Sequence, residues 1–319
     1  MEPITRIFKT ILSWPRYILI YAGSALLIFL LLYYPIGMLW VNHIDDRTDY
    51  TADKRFDIEG GSHSVALMEA LIDREVVQHH WTPNAPFFYP SHMLIRMPAF
   101  QRGMMASLAR FAVELSDQIA RQRGSSQIDP DLEKAAGLLK YSPNVWVFDL
   151  STSLLPTTPS EDQYIGALRL LGSYNERLAK GQAVFDRRAD NLMEALERIA
   201  TDLGSSSAVI DSHITQQSHN MIDTQAADIF YSVKGRMYVD YLLLRELQHD
   251  FAGLIAEKQL QNAWDRTLEN LRVGAGISHF MVFNADPSSE FIPNHLAVQG
   301  FFLLRARTQL KELSNILLK

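Results

Sequence analysis

The feature that most constrains this chain is a long run without charge. From Tyr17 to Trp40 there are 24 consecutive positions with no Asp, Glu, Lys or Arg, including Ala25-Leu26-Leu27-Ile28-Phe29-Leu30-Leu31-Leu32. At about 1.5 Å rise per residue, a helix of this length covers the ~30 Å hydrocarbon slab with allowance for tilt. Core helices of soluble proteins are rarely this long without a charge, so the run predicts one transmembrane helix over 17–40. Tyr17, Tyr21, Tyr33, Tyr34 and Trp40 gather toward its ends, where amphipathic rings favour the headgroup layer. A cleaved signal peptide has a shorter apolar stretch and a small-x-small site, whereas this run leads into Tyr33-Tyr34-Pro35-Ile36-Gly37-Met38-Leu39-Trp40. The segment therefore reads as an uncleaved signal anchor. Arg6, Lys9 and Arg16 precede it and only Arg47 follows within ten residues, which predicts a cytoplasmic N-terminus. In a bacterium the anchor lies in the inner membrane and the main body is periplasmic.

Residues 1–16 form a cytoplasmic tail in which Ile4, Ile7, Phe8, Ile11 and Leu12 recur at helical spacing. That pattern suits either a short interfacial helix or an extension of the anchor. Residues 41–61 are polar, mix charge signs and end in Gly60-Gly61, the composition of a juxtamembrane linker. The net charge of −6 argues against a nucleic-acid footprint, which is normally strongly basic. With no cysteine anywhere, disulfides, thiolate zinc sites, iron–sulfur clusters and cysteine nucleophiles are excluded.

The body, 62–319, reads as helix interrupted by loops. Ser62 to His80 has a 3.6-residue apolar period and stops at Trp81-Thr82-Pro83. Trp81 to Pro98 holds Pro83, Pro86, Pro90 and Pro98, so it is expected to be a loop. Helix resumes over Phe100 to Gln122 and ends at Arg123-Gly124-Ser125-Ser126, and Asp129-Pro130 caps a short helix to about Tyr141. Pro143 to Pro159 is irregular, with a possible extended stretch at Val145 to Leu150.

Ser160-Glu161-Asp162-Gln163 has the form of a capping box. Leu171, Leu178, Phe185, Leu192 and Ile199 then follow at seven-residue spacing, predicting one long coiled-coil-like helix from Glu161 to Leu203 with a weak point at Gly181. Gly204 to Ser207 reads as a turn, and the apolar positions from Val209 to Ile255 as the antiparallel partner helix. A helix over Gln259 to Gly276 and a loop over Ile277 to Pro293 precede a last helix, Asn294 to Lys319. There Leu296, Leu303, Leu310 and Leu317 repeat every seven residues. The fold class is all-α: one transmembrane helix, then an elongated helical bundle with long coiled-coil-like helices.

Chemistry is sparse. P-loop, HExxH, GxSxG and SxxK motifs are all missing. Glu246 and His249 form a lone Glu-x-x-His pair, and helix geometry puts Glu246 about 200° round from the Leu244 and Phe251 stripe, on the solvated side. His79 and His80 point about 100° apart on a helix and suit its C-terminal dipole better than a metal. His213 and His219 fall on different faces, with Asp211, Asp223 and Asp228 nearby. Glu161 and Asp162 suit a helix N-terminus better than a glycosidase carboxylate pair. No catalytic, cofactor-binding or metal-ligating residue is assigned, and no cofactor is expected. The candidate recognition residues are Trp81, Phe87, Phe88 and Tyr89, weighed against a role in plugging the bundle end. The candidate helix-pairing residues are the two heptad series above.

The anchor, Trp81-Thr82-Pro83-Asn84-Ala85-Pro86-Phe87-Phe88, Arg123-Gly124-Ser125-Ser126, Pro159-Ser160-Glu161-Asp162-Gln163-Tyr164 and Asn294-His295-Leu296-Ala297-Val298-Gln299-Gly300-Phe301 together resemble a proteobacterial inner-membrane family known only as a domain of unknown function. The resemblance covers nearly the whole chain and implies no activity. The expected role is that of a non-enzymatic, membrane-anchored envelope scaffold, adaptor or assembly factor. It would contact the bilayer through one span and bind an envelope protein or a second copy. A periplasmic sensor or ligand-binding bundle, with the Trp81 to Pro98 loop as lid, is the alternative, followed by a peptidoglycan hydrolase.

Overall fold

A computed structural model describes residues 2–120, 128–148, 155–217, 223–286 and 289–318. Ten α-helices are found among them, and no β-strand. The first, α1 (Glu2–Val41), is a single unbroken helix, so the 2–16 stretch extends the apolar segment rather than lying across it. Its section Tyr17–Val41 is long and apolar enough to cross a membrane, and none of its most apolar stretch is buried against the body.

The body opens with α2 (His63–Ile72), whose helix runs on as a wider π-helical turn over Asp73–Gln78. Its N-terminus is capped from afar. The Asp250 carboxylate accepts from Ser62 Oγ (2.8 Å), the His63 and Ser64 amides (2.9 and 3.0 Å) and Ser64 Oγ (2.7 Å). These donors satisfy the carboxylate and tie the start of α2 to the end of the 224–250 helix.

Next come α3 (Arg96–Glu114), α4 (Pro130–Leu139), α5 (Ser160–Ala179), α6 (Ala189–Gln217) and α7 (Thr224–Asp250), then α8 (Ala252–Glu257), α9 (Gln261–Gly276) and α10 (His295–Leu317). α7 is central. Its residues from Phe230 to Leu244 are buried on nearly every side, because α2, α3, α9 and α10 all pack on it. The closest crossing is with α3, where Gly103 and Gly235 let two backbones meet. A Cβ on Gly235 would lie 2.2 Å from the Phe100 carbonyl oxygen.

Several expectations are corrected. The 161–203 helix is two helices: Gly181, at φ +70°, ends α5 in a Schellman motif, with Gln182 N donating to Arg177 O (2.8 Å) and Gly181 N to Leu178 O (2.9 Å). Gly204 to Ser207 is no turn but lies inside α6, where Ser205 and Ser206 hydroxyls bond back to Thr201 and Asp202 carbonyls and leave the helix intact. The partner of α6 is α10 rather than the 224–255 segment, and the two run antiparallel, Ile210 beside Gly300 and Gly204 beside Arg307. Ser160 opens α5 without forming a capping box. Pro159 occupies the cap position, and the Ser160 hydroxyl instead bonds Ser142 O (2.8 Å) and Val145 O (3.1 Å). The proline loop ends at Ile95, so Pro98 sits in the first turn of α3.

The cap at Asp129-Pro130 is as expected, and Asn294 caps α10, its side chain accepting from the Ala297 amide, instead of opening the helix. Residues 123–126, 149–150 and His219 lie outside the described residues. Both heptad series face the core. Leu171, Leu192, Leu296, Leu303 and Leu310 are fully buried, Phe185, Ile199 and Leu317 nearly so, and Leu178 is partly buried. Phe185 reaches the core from the α5–α6 connector, its ring 5.8 Å from Phe251.

Candidate functional site

The segment between α1 and α2 is clamped as a strap. Lys234 on α7 is fully buried, and its ammonium lies 2.6 Å from the Asp46 carboxylate and 2.7 Å from the Ile277 carbonyl. Tyr238, one turn on, donates to the Arg47 carbonyl (2.9 Å). Arg245, two turns further, donates to the Thr48 carbonyl (3.0 Å) and the Tyr50 carbonyl (2.5 Å). One face of α7 therefore offers a ladder of donors to successive strap residues. Lys234, Tyr238 and Arg245 recur at i, i+4 and i+11, spacings that share a helix face.

The other wall comes from the π-helical turn. Arg74 is buried, stacks 4.5 Å from the Tyr50 ring, donates to Tyr238 Oη (3.0 Å) and lies 3.6 Å from Asp45. Burial alone would raise the Asp45 carboxyl, but hydrogen bonds from Arg47 and the charge of Arg74 hold it at about 2. Burial likewise opposes ionisation of Glu75. His79, Arg74 and Gln101 outweigh it and keep that carboxyl below its usual range. A helix widened here turns both Arg74 and Glu75 inward, a typical use of a π-bulge.

Beside the strap lies a cavity of about 400 Å³ walled by Val41 at the end of α1, Trp81, Asn84 and Tyr89 of the proline loop, and Trp146 and Glu161. Asn84 Nδ2 donates to Glu161 Oε2 (2.6 Å) and to the Val145 carbonyl (2.8 Å), which fixes the only carboxylate in the wall. Burial raises that carboxyl. The space is mostly aromatic and aliphatic with one acidic edge, suited to a small amphipathic molecule.

The four candidate recognition residues divide. Trp81 is buried, edge-on to Tyr164 at 5.0 Å, and its indole donates to the Pro143 carbonyl (2.8 Å), so it plugs the core and is not an exposed anchor. Phe87, Phe88 and Tyr89 are exposed, Phe87 to 75%.

The remaining sequence candidates fall elsewhere. Glu246 is not on a solvated face. Its side chain is only 12% exposed and binds Arg245, steadying the strap clamp. His249 lies 5.7 Å from the His63 ring. His213 pairs with Asp223 at 2.6 Å, and Asp223 also caps α7, while Asp228 pairs with Arg102 on α3. Among the described residues no group of three or more His, Asp or Glu could hold a metal. Sequence reasoning missed the clamp. Its one local trace is Lys234 and Arg245 interrupting the apolar pattern of α7.

Fold and site define an all-α protein whose body is strapped to one N-terminal helix long enough to cross a membrane. The chain belongs to the bacterial family described as "Uncharacterized protein conserved in bacteria (DUF2333)", whose model matches residues 17–319. No curated protein and no solved structure matches it.

Proposed function

We propose that this chain is a non-enzymatic, membrane-anchored scaffold or adaptor of the bacterial envelope, held in the inner membrane by 17–40 with its N-terminus cytoplasmic and its body periplasmic. The clamp carries this reading. A strap pinned at Asp46, Arg47, Thr48 and Tyr50 holds the body in one pose relative to the anchor, as a platform for a partner requires. Hydrogen bonds from Tyr33 and Tyr34 to the body support an anchor that is retained rather than cleaved. Val298, Phe301 and Leu304 are exposed along one side of α10 and offer the partner an apolar face. In-cell photocrosslinking from positions 301 and 304, with identification by mass spectrometry, tests the reading. A discrete envelope-protein adduct or a dimer of the chain is expected, and no protein adduct at either position would overturn it.

The 400 Å³ cavity favours a second reading, a ligand-binding bundle that reports to the anchor through Val41. Ala85→Trp, which fills the space, separates the two. A ligand sensor loses its cellular function at unchanged abundance, whereas a scaffold keeps it.

A further inference from the structure

Trp81 to Ile95 is fifteen residues without Asp, Glu, Lys or Arg, a second uncharged stretch beside the first. Its middle part does not stand above the anchor but runs down along it. The Tyr34 hydroxyl donates to the Phe87 carbonyl (3.0 Å) and the Tyr33 hydroxyl to the Phe88 carbonyl (3.2 Å). Pro90 packs on Gly37 so closely that a Cβ there would lie 2.4 Å from the proline ring. Tyr33 and Tyr34 precede the end of α1 by seven or eight residues, so these contacts sit roughly 10–12 Å back along its axis. Counted from Arg16, the last charge before the span, about 20 residues fill the hydrocarbon slab and place Tyr33 and Tyr34 just inside its outer boundary.

Resting on the reading that 17–40 spans the bilayer, we propose that the 86–94 loop is immersed in the outer-leaflet interface, with Phe87, Phe88, Tyr89 and Met93 in contact with lipid. Exposed side chains fit that surroundings. Phe87 is 75% and Met93 61% exposed, as Leu39 and Trp40 near the end of α1 also are. The backbone fits it as well. Non-helical backbone survives at membrane depth only where its polar groups are paired. Here Tyr89 N donates to Pro86 O (2.9 Å), His92 N to Tyr89 O (3.0 Å) and Leu94 N to Ser91 O (3.0 Å). Pro86 and Pro90 have no amide hydrogen to satisfy, and the Phe87 and Phe88 carbonyls take the two tyrosine hydroxyls. His92, the one titratable side chain in the loop apart from Tyr89, is exposed but has its Nδ1 paired with the Ala85 carbonyl (2.8 Å). Phe280 and Met281, also exposed, share a groove with Met38 of α1 and Met93 of the loop, with Arg96 and Asp223 at its polar edge, so the apolar surface extends from the loop to the 280–281 segment. The body would thus sit down on the leaflet instead of swinging above it.

The chain has no cysteine, so single-cysteine spin labels can be placed directly. Full-length protein carrying Leu30→Cys, Phe87→Cys, Met93→Cys or Val209→Cys is reconstituted into phosphatidylethanolamine/phosphatidylglycerol vesicles, and collision with oxygen is compared with collision with a water-soluble nickel chelate. The expected ratio of oxygen to nickel collisions is several-fold higher at 87 and 93 than at the solvent control 209, approaching that at 30. A water-like ratio at 87 and 93 with a lipid-like one at 30 overturns the immersed loop and leaves the anchor standing. A water-like ratio at 30 removes the anchor reading, and the proposal with it. Spin–spin broadening at 87 or 93 assigns the surface to a second copy and likewise overturns the proposal.

Discussion

The Lys234 ammonium lies 2.6 Å from the Asp46 carboxylate, joining the central helix of the body to the strap that follows α1. Lys234 is fully buried, whereas the Asp46 side chain is 32% exposed, so the two ends of the pair are not equivalent. Burial pulls the lysine below its usual range, and Asp46 resists that shift. Asp46→Ala leaves a buried cation with one carbonyl partner and is expected to cost about 2–4 kcal/mol. Lys234→Met, which fills the volume and removes the charge, is expected to cost clearly less while freeing the strap. Urea denaturation of both variants checks the order, and equal losses would show that the pair contributes by packing alone.

The α3–α7 crossing depends on two missing side chains. A Cβ on Gly103 would fall 1.9 Å from the Ser232 carbonyl oxygen, and one on Gly235 would meet both Phe100 O and Met104 N. Because backbone and not a flexible side chain stands in the way, either Gly→Ala change is expected to destabilise by about 3 kcal/mol or more. Gly137→Ala on α4, with open space around it, is expected to be neutral or to stabilise by up to about 1 kcal/mol. Thermal melts of the three proteins decide.

Two buried carboxyls predict a pH trend. Burial raises Glu69 to about 8 and Asp240 to about 7, Asn175 and Ser107 respectively opposing it through hydrogen bonds. Between about pH 4, where an unfolded carboxyl ionises, and these folded values, the fold holds more protons than the unfolded chain. Their contribution is therefore fullest below pH 4 and is lost as pH rises through 7 and 8. Glu69→Gln is expected to stabilise by about 1–3 kcal/mol at pH 8.5 and to change little at pH 5. A urea midpoint that shifts equally at both pH values would contradict the assignment.

The stacked rings of His279 and His295 predict the opposite trend in one loop. They lie 3.6 Å apart and nearly parallel, and both are lowered, by burial first and then by Lys234 for His279 and by His279 for His295. Since each binds its proton less readily folded than unfolded, the stability they contribute is present above about pH 6.5 and is lost as pH falls through their folded values. Amide protection over 277–286 is expected to drop at pH 5 relative to pH 7. His279→Phe, which keeps a stacked ring without a charge, should remove most of that drop.

How much of this was readable from the chain depends on whether the signal was local. The apolar run, the Asp129-Pro130 cap, the proline loop and the inward heptad leucines all follow from neighbours within a few turns. Those features were legible because propensity, capping and periodicity act over that distance. At Gly181 and at Gly204 to Ser207 the same local signs point to a weak point and a turn, where the structure has a helix end and an unbroken helix. A Schellman motif and two serine back-bonds settle which glycine ends a helix, and neither has a unique sequence spelling.

Pairing lay beyond such signals. Heptad leucines announce that α6 and α10 each need a partner without saying which, because any apolar stripe satisfies another, and chain topology made the choice. The clamp on the strap was equally hidden. A lysine in an apolar helix is a defect until Asp46, 188 residues earlier in the chain, arrives beside it, and an aromatic loop has no place along α1 until Tyr33 and Tyr34 bond its carbonyls. By itself the sequence determined that one N-terminal helix is long and apolar enough to cross a membrane, that the rest is mainly helical, and which side chains turn inward. Only the tertiary structure decided where the buried charges meet and how the body is held to its anchor, since desolvated ion pairs form between residues that nothing local brings together.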